Sequence, residues 1–167
     1  EINVAAAGTV TDVDVTMAVE HTFVGDLTVK LVSPAGTVNT LMSRPGVAET
    51  GDDGDSSAGF GHPDNLELSA PITFSSSNGT FDAENMGSIA DGNVVCADDG
   101  ECAFTPTPDS GPGGPLDTFF DGEDPSGNWQ LCVGDSAAVY TGNLSDSANA
   151  VDVSTSSGGV AGTWQAE

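Results

Sequence analysis

The chain predicts an all-β sandwich, and three observations carry that expectation. Helical periodicity is nearly absent, and Thr, Val, Ser and Gly dominate. Turn signals recur roughly every eight to fifteen residues, the spacing of short strands joined by tight connections. Residues 10–21 alternate cleanly, with Val13, Val15, Met17, Val19 and His21 on one face and Asp12, Asp14, Thr16 and Glu20 on the other. That is the pattern of a half-buried strand whose outer face is wet and acidic.

The remaining elements follow in order. A Gly25-Asp26 turn opens a strand over 26–33 with Leu27, Val29 and Leu31 alternating, and a Pro-Ala-Gly turn leads to a shorter strand from Val38 to Met42. Residues 43–65 form a long Gly/Asp/Ser loop, and loops of that length inside a compact domain are usually functional or ligand-ordered. Leu66-Glu67-Leu68 and Pro71-Ile72-Thr73-Phe74 read as an edge strand, since Pro71 cannot donate to a ladder. An acidic loop spans Phe81 to Asn85, and a Pro/Gly-rich connection runs from Thr105 to Pro115. In 127–135, Trp129, Leu131 and Val133 point inward while Gln130 and Cys132 point out. A turn at Thr141-Gly142-Asn143 leads to a weak last strand from Leu144 through Val151 and Val153. The 167 residues suit a single core over 1–154, and 155–167, rich in Gly, Ser and Thr, reads as a flexible tail.

Charge narrows the partners. Two basic residues, Lys30 and Arg44, stand against 26 acidic ones, a net of −24. Nucleic acid is excluded because phosphate binding depends on Lys and Arg, and an anionic membrane surface is disfavoured on the same ground. No apolar run approaches the roughly 18–20 residues of a membrane span. The start, Glu1-Ile2-Asn3-Val4, lacks the charged and apolar regions of a signal peptide. Self-repulsion would destabilise the compact state unless cations bind, salt screens the field or a cationic protein surface docks.

Calcium fits this composition, because it takes six to eight oxygen ligands. Acidic clusters with neighbouring glycines lie at 52–55, 82–84, 98–101 and 121–124. The candidate ligands are Asp52, Asp53, Asp55, Asp64, Asp82, Glu84, Asp121, Glu123 and Asp124, with the 43–65 loop ordered by the ion. No cluster has EF-hand spacing, and salt adaptation would produce the same acidity without a specific ion. Three cysteines, Cys96, Cys102 and Cys132, lack the paired spacing of zinc sites. A local disulfide could close the loop between Cys96 and Cys102, or Cys132 could join either one. Catalysis has little support: no Gly-x-Ser-x-Gly elbow is present, and His21 belongs to its strand. Trp129 is expected in the core, which leaves Phe60, Tyr140 and Trp164 as scattered candidates for exposure.

Two segments are similar to a known family. His21-Thr22-Phe23-Val24-Gly25-Asp26-Leu27 with Ser33-Pro34-Ala35-Gly36-Thr37, and Phe120-Asp121-Gly122 with Gly127-Asn128-Trp129-Gln130-Leu131, resemble the P domain (P/homo B domain). That domain follows the catalytic domain of subtilisin-like proprotein convertases and many secreted bacterial proteases. Leu41-Met42-Ser43-Arg44-Pro45-Gly46 and Thr80-Phe81-Asp82-Ala83-Glu84 resemble further stretches in the expected order. Two departures stand out: Leu144-Ser145-Asp146-Ser147 replaces the family's usual Leu-x-Ser-Trp, and 93–118 is longer and bears cysteines, as in a bacterial branch. The resemblance implies a jelly-roll-like β-sandwich of about eight strands, non-catalytic and monomeric. It also implies a secreted bacterial origin and a role beside a serine protease domain in stability, maturation or substrate access. The alternative is a calcium-dependent carbohydrate-binding jelly-roll module.

Overall fold

The computed structural model describes residues 1–48, 59–88, 93–145, 149–158 and 160–163. In chain order the strands are β1 (Ile2–Val4), β2 (Val10–Met17), β3 (Val19–Glu20), β4 (Leu27–Val32), β5 (Val38–Ser43), β6 (Ile72–Phe74) and β7 (Phe81–Asp82). They continue as β8 (Ala103–Thr105), β9 (Gly127–Asp135), β10 (Asn143–Leu144), β11 (Ala150–Thr155) and β12 (Val160–Thr163), with one α-helical turn among the described residues, α1 (Leu116–Phe119). The expected all-β sandwich is therefore what forms. Its strands outnumber the expected eight or so because pieces such as β3, β7 and β10 are only 2 residues long.

One sheet has the order β1-β9-β4-β5, the other β12-β11-β2-β6-β8-β7, and β10 pairs with β3 as a separate ribbon. The alternation read from 10–21 is realised: Val13, Val15, Met17, Val19 and His21 are buried, while Glu20 is exposed. The run is interrupted at Ala18, whose N–H donates to the Asn149 side chain at 2.6 Å, so β2 ends there and β3 starts afresh. Trp129 is buried while Leu131 and Val133 are half-buried against the core, and Gln130 and Cys132 face solvent.

Two expectations change. Ile72–Phe74 lies inside its sheet, between β2 and β8. Pro71 precedes the strand, so its missing N–H costs the ladder nothing. Within 155–167, expected as a tail, Val160–Thr163 pairs antiparallel with β11. Composition concealed this, because Gly and Ser at 156–158 form the turn that returns the chain to the sheet edge.

The core centres on large side chains from both sheets and the helical turn. Trp129, Phe74, Phe104 and Phe120 are all fully buried. Trp129 meets Phe120 edge-on at 5.2 Å between ring centroids, and its Nε1–H donates to the Pro125 carbonyl at 3.0 Å. Trp129→Ala should lower unfolding free energy by about 3–5 kcal/mol in chemical denaturation. Trp129→Phe keeps most of the ring burial but strands a buried carbonyl, and should cost about 1–3 kcal/mol.

Candidate functional site

The segment most like the P domain builds one corner of the molecule. His21 and Leu66 exchange backbone hydrogen bonds at 3.0 and 2.8 Å, Val24 N–H donates to Asp64 at 2.9 Å, and Gly25 N–H to His62 at 3.0 Å. Residues 61–66 thus lie against 21–26 as an irregular ladder. Contact this close requires glycine on both sides. A Cβ on Gly25 would sit 2.4 Å from Gly61 Cα, and one on Gly61 would sit 2.5 Å from Gly25 Cα and 2.4 Å from the Pro45 oxygen. The Gly-Asp pair is therefore more than turn chemistry: Gly25 is the docking point of the following loop.

His21 sits beneath this corner, 1% exposed, as the buried strand-end residue the alternation predicts. Its Nδ1 lies 2.9 Å from the Phe23 carbonyl oxygen and its Nε2 3.4 Å from an Asp135 carboxylate oxygen. Gly142 passes over the ring so closely that a Cβ would meet His21 Cδ2 at 2.8 Å. Asp26 is 2% exposed beside it. Asp135 stands opposite Leu27 in the β4–β9 ladder, and the Asp26 carbonyl accepts from Ser136 N–H at 2.9 Å. Burial and the neighbouring Asp135 push the Asp26 carboxyl above the ordinary range, while His21 and Arg44 pull the other way. The burial of Asp26 and its conjunction with Asp135 escaped sequence reading, since an acid after glycine reads as a turn. The flanking Val24 and Leu27 were the available signal.

The nine acidic candidates divide. Asp64 is fully buried and the Glu84 carboxylate accepts from Gly46 N–H at 3.0 Å. Both belong to the corner, where a Cβ on Gly87 would come within 3.1 Å of Asp64 and 3.6 Å of His62. Asp82 accepts from Glu84 N–H at 3.0 Å and from the Thr107 hydroxyl. Asp121, Glu123 and Asp124 lie at the far end of β4, about 20 Å away at the usual rise per residue. There the two Glu123 oxygens accept from Ser33 and Thr37 hydroxyls, each at 2.6 Å, and Asp124 accepts from Ser126 N–H at 2.9 Å. Asp52, Asp53 and Asp55 lie outside the described residues. Among the described residues no three His, Cys, Asp or Glu side chains converge as metal ligands.

The cysteine alternatives resolve locally. Cys96 and Cys102 form a disulfide and Cys132 is a free, exposed thiol. The acidic loop that the disulfide closes is held from within, Asp99 accepting from the N–H groups of Cys96 and Glu101, both at 2.8 Å. Both histidines direct their ring Nδ1 to backbone, His62 to the Met86 carbonyl at 2.9 Å. Among the described residues neither has a serine hydroxyl partner in its hydrogen bonds. Phe60 is 90% exposed, Tyr140 stacks on Phe23 at 5.2 Å, and Trp164 lies outside the described residues. No helix among the described residues is long and apolar enough to cross a membrane.

Comparison with known proteins agrees with the corner. The model of the proprotein convertase P-domain family matches residues 10–81, a stretch that runs from β2 to the start of β7 and contains both sides of the Gly25–Gly61 contact. The resemblance of 21–37 falls inside this match, and that of 120–131 beyond it. No curated protein and no solved structure matches the chain.

Two outcomes follow for this corner. Gly25→Ala and Gly61→Ala should each cost about 1–3 kcal/mol, with strong non-additivity in the double variant. Gly134→Ala, whose Cβ would meet nothing nearer than 3.8 Å, should be tolerated. For Asp26, the folded state holds the proton more tightly than the unfolded chain. Its contribution to stability therefore grows as pH falls through the raised pKa and is complete below the unfolded value of about 3.9. Denaturation at stepped pH should show wild type gaining on Asp26→Asn as the pH falls from neutral. The opposite slope would mean that Asp26 is held as an ion pair.

Proposed function

We propose that this chain is a non-catalytic accessory P domain of a secreted bacterial serine protease, acting on the stability, maturation or substrate access of the protease domain. The observation that carries this reading is the family match over 10–81, coinciding with the corner built on His21, Gly25 and Asp26. The Cys96–Cys102 disulfide supports an oxidising, extracellular setting. In this reading the sandwich presents a rigid acidic surface to its neighbour, and it works as a monomer within the parent protein. Isolated exposed aromatics such as Phe60 make a poor sugar platform, so the carbohydrate-binding alternative ranks second.

The proposal includes a calcium ion at the corner. Asp64 and Glu84 stand in this corner, Asp52, Asp53 and Asp55 precede them in sequence, and together these would supply the oxygen donors calcium prefers. The ion would offset carboxylate repulsion in a chain of net charge −24. In the 121–124 cluster, hydroxyls hold both oxygens of Glu123, so that end has no part in the proposal.

Two measurements test the two halves. Mixing with the parent protease domain should raise the melting temperature of one or both partners, since only preferential binding to the folded state stabilises it. An unchanged melt, or a glycan-array hit instead, would remove the accessory reading. At fixed ionic strength, Ca²⁺ should raise the melting temperature more than Mg²⁺, and EDTA should reverse the rise. Asp→Asn changes at 52, 53 and 55 should abolish that selectivity, while Asp12→Asn and Asp14→Asn should not. Equal effects would mean diffuse charge screening.

A further inference from the structure

The connection from β8 to α1 folds back on itself and encloses a surface pocket of about 390 Å³. Pro106, Pro108 and Pro115 form its apolar walls, and Ser76, Thr105 and Asp117 supply its polar groups. Every wall is fixed by contacts within the protein. The proline rings hold their own backbone angles. Gly114, also at the wall, is clasped by the fully buried Asn39. The Asn39 amide nitrogen donates to the Gly114 carbonyl at 3.1 Å, and the Asn39 side-chain oxygen accepts from Gly114 N–H at 3.2 Å. Leu116 N–H donates to Ser76 Oγ at 2.6 Å, which ties the start of α1 to the turn after β6. That turn is itself pressed on β8, since a Cβ on Gly79 would come within 2.7 Å of the Phe104 and Thr105 backbone. A pocket formed before its ligand arrives binds with the least ordering cost.

The groups at the pocket select its occupant. The proline walls have no N–H to offer, and those of Gly114 and Leu116 are engaged. Thr105 commits its hydroxyl proton to the Phe81 carbonyl at 3.1 Å, which leaves its oxygen as an acceptor. Asp117 adds a carboxylate that accepts only a long bond, 3.4 Å, from the adjacent Thr118 hydroxyl. Its charge also reaches Asp12, whose carboxyl is raised by burial, by Asp14 and then by Asp117. This field repels an anion, and one carboxylate falls well short of the six to eight oxygens that calcium takes. A cation on an alkyl stem fits, with its methylenes along the proline rings and its head at Asp117. We propose that this pocket receives a lysine or arginine side chain from the surface of a partner protein. The net charge of −24 draws a cationic surface in, and the pocket sets where it docks. A second copy of this chain does not present such a side chain: Arg44 is buried and Lys30 is half-buried within β4. This recognition does not depend on the partner's being a protease.

The test is a chemical-shift titration of the whole isotope-labelled chain at fixed ionic strength. Its probes are the N-acetyl methylamides of arginine, lysine, norleucine and diaminopropionic acid. Norleucine keeps the stem without the charge, and diaminopropionic acid keeps the charge without the stem. The arginine and lysine probes should saturate in the millimolar range, shifting the amides of Ser76, Thr105, Gly114 and Asp117. The other two should bind at least about tenfold more weakly, since each lacks half of the recognition. Asp117→Asn should weaken arginine binding at least about tenfold. Asp152→Asn, which removes an exposed acid on β11, should leave it unchanged. The proposal is overturned if arginine does not saturate in the millimolar range, or if norleucine or diaminopropionic acid binds equally well. It is equally overturned by equal losses in Asp117→Asn and Asp152→Asn, or by shifts centred elsewhere, as at the exposed Glu20 and Glu67.

Discussion

The contact between Gly25 and Gly61 is the constraint on which the rest of this corner depends. Two backbones approach there until no side chain fits between them, and that closeness lets 61–66 bond to 21–26 residue by residue. His21 and Asp26 are buried because the ladder covers them. Asp135 is brought to them by the register of β4 with β9. Remove the contact and the polar groups beneath it meet water, leaving the loop held at this corner by the buried Val24, Leu66 and Met86.

With two cations for 26 acids, this protein cannot neutralise its carboxylates by salt bridges. It uses many of them as hydrogen-bond acceptors for its own turns. Asp99 holds the disulfide loop, Asp82 starts the helical turn at 83–85, Asp135 accepts from Ala137 N–H at 3.0 Å, and Glu123 ties the Ser33–Thr37 turn to the entry of β9. A sandwich with many connections has many free N–H groups at bends, and short acidic side chains are suited to them. Some repulsion remains unrelieved. Asp14 and Asp152 face each other across β2 and β11, and burial with Asp14 nearby raises the Asp12 carboxyl above its ordinary range.

Much of the fold was legible because its cues are local. The alternation of Val13, Val15 and Met17, and of Trp129, Leu131 and Val133, needs only a period of two, and the inward and outward faces follow from it. Pairing was less legible. Pro71 suggested an edge, whereas the strand it precedes lies inside a sheet, since proline reports on its own N–H and not on the neighbours of the next residues. Ser156-Ser157-Gly158 suggested a tail, but turn composition is the same whether the chain leaves the domain or folds back. The candidate site was legible in its motif and not in its arrangement. Asp64 and Glu84 fall in one corner, and Glu123 at the other end of β4, because three-dimensional neighbours were set by long-range pairings no local pattern encodes.

Those long-range pairings have a consequence for how the molecule comes into being. Ile2 pairs with Trp129 and Val10 with Thr155, so strands from the start of the chain are completed only by strands near its end. β2, inside the larger sheet, has β11 as an obligatory neighbour. A chain emerging from a ribosome completes neither sheet until β9 and β11 are available, and such non-local topologies close slowly. Mutual repulsion among carboxylates, a burden to the folded state, is an asset during that interval because it keeps nascent chains apart. The first strands wait, charged and dispersed, for the last ones to arrive.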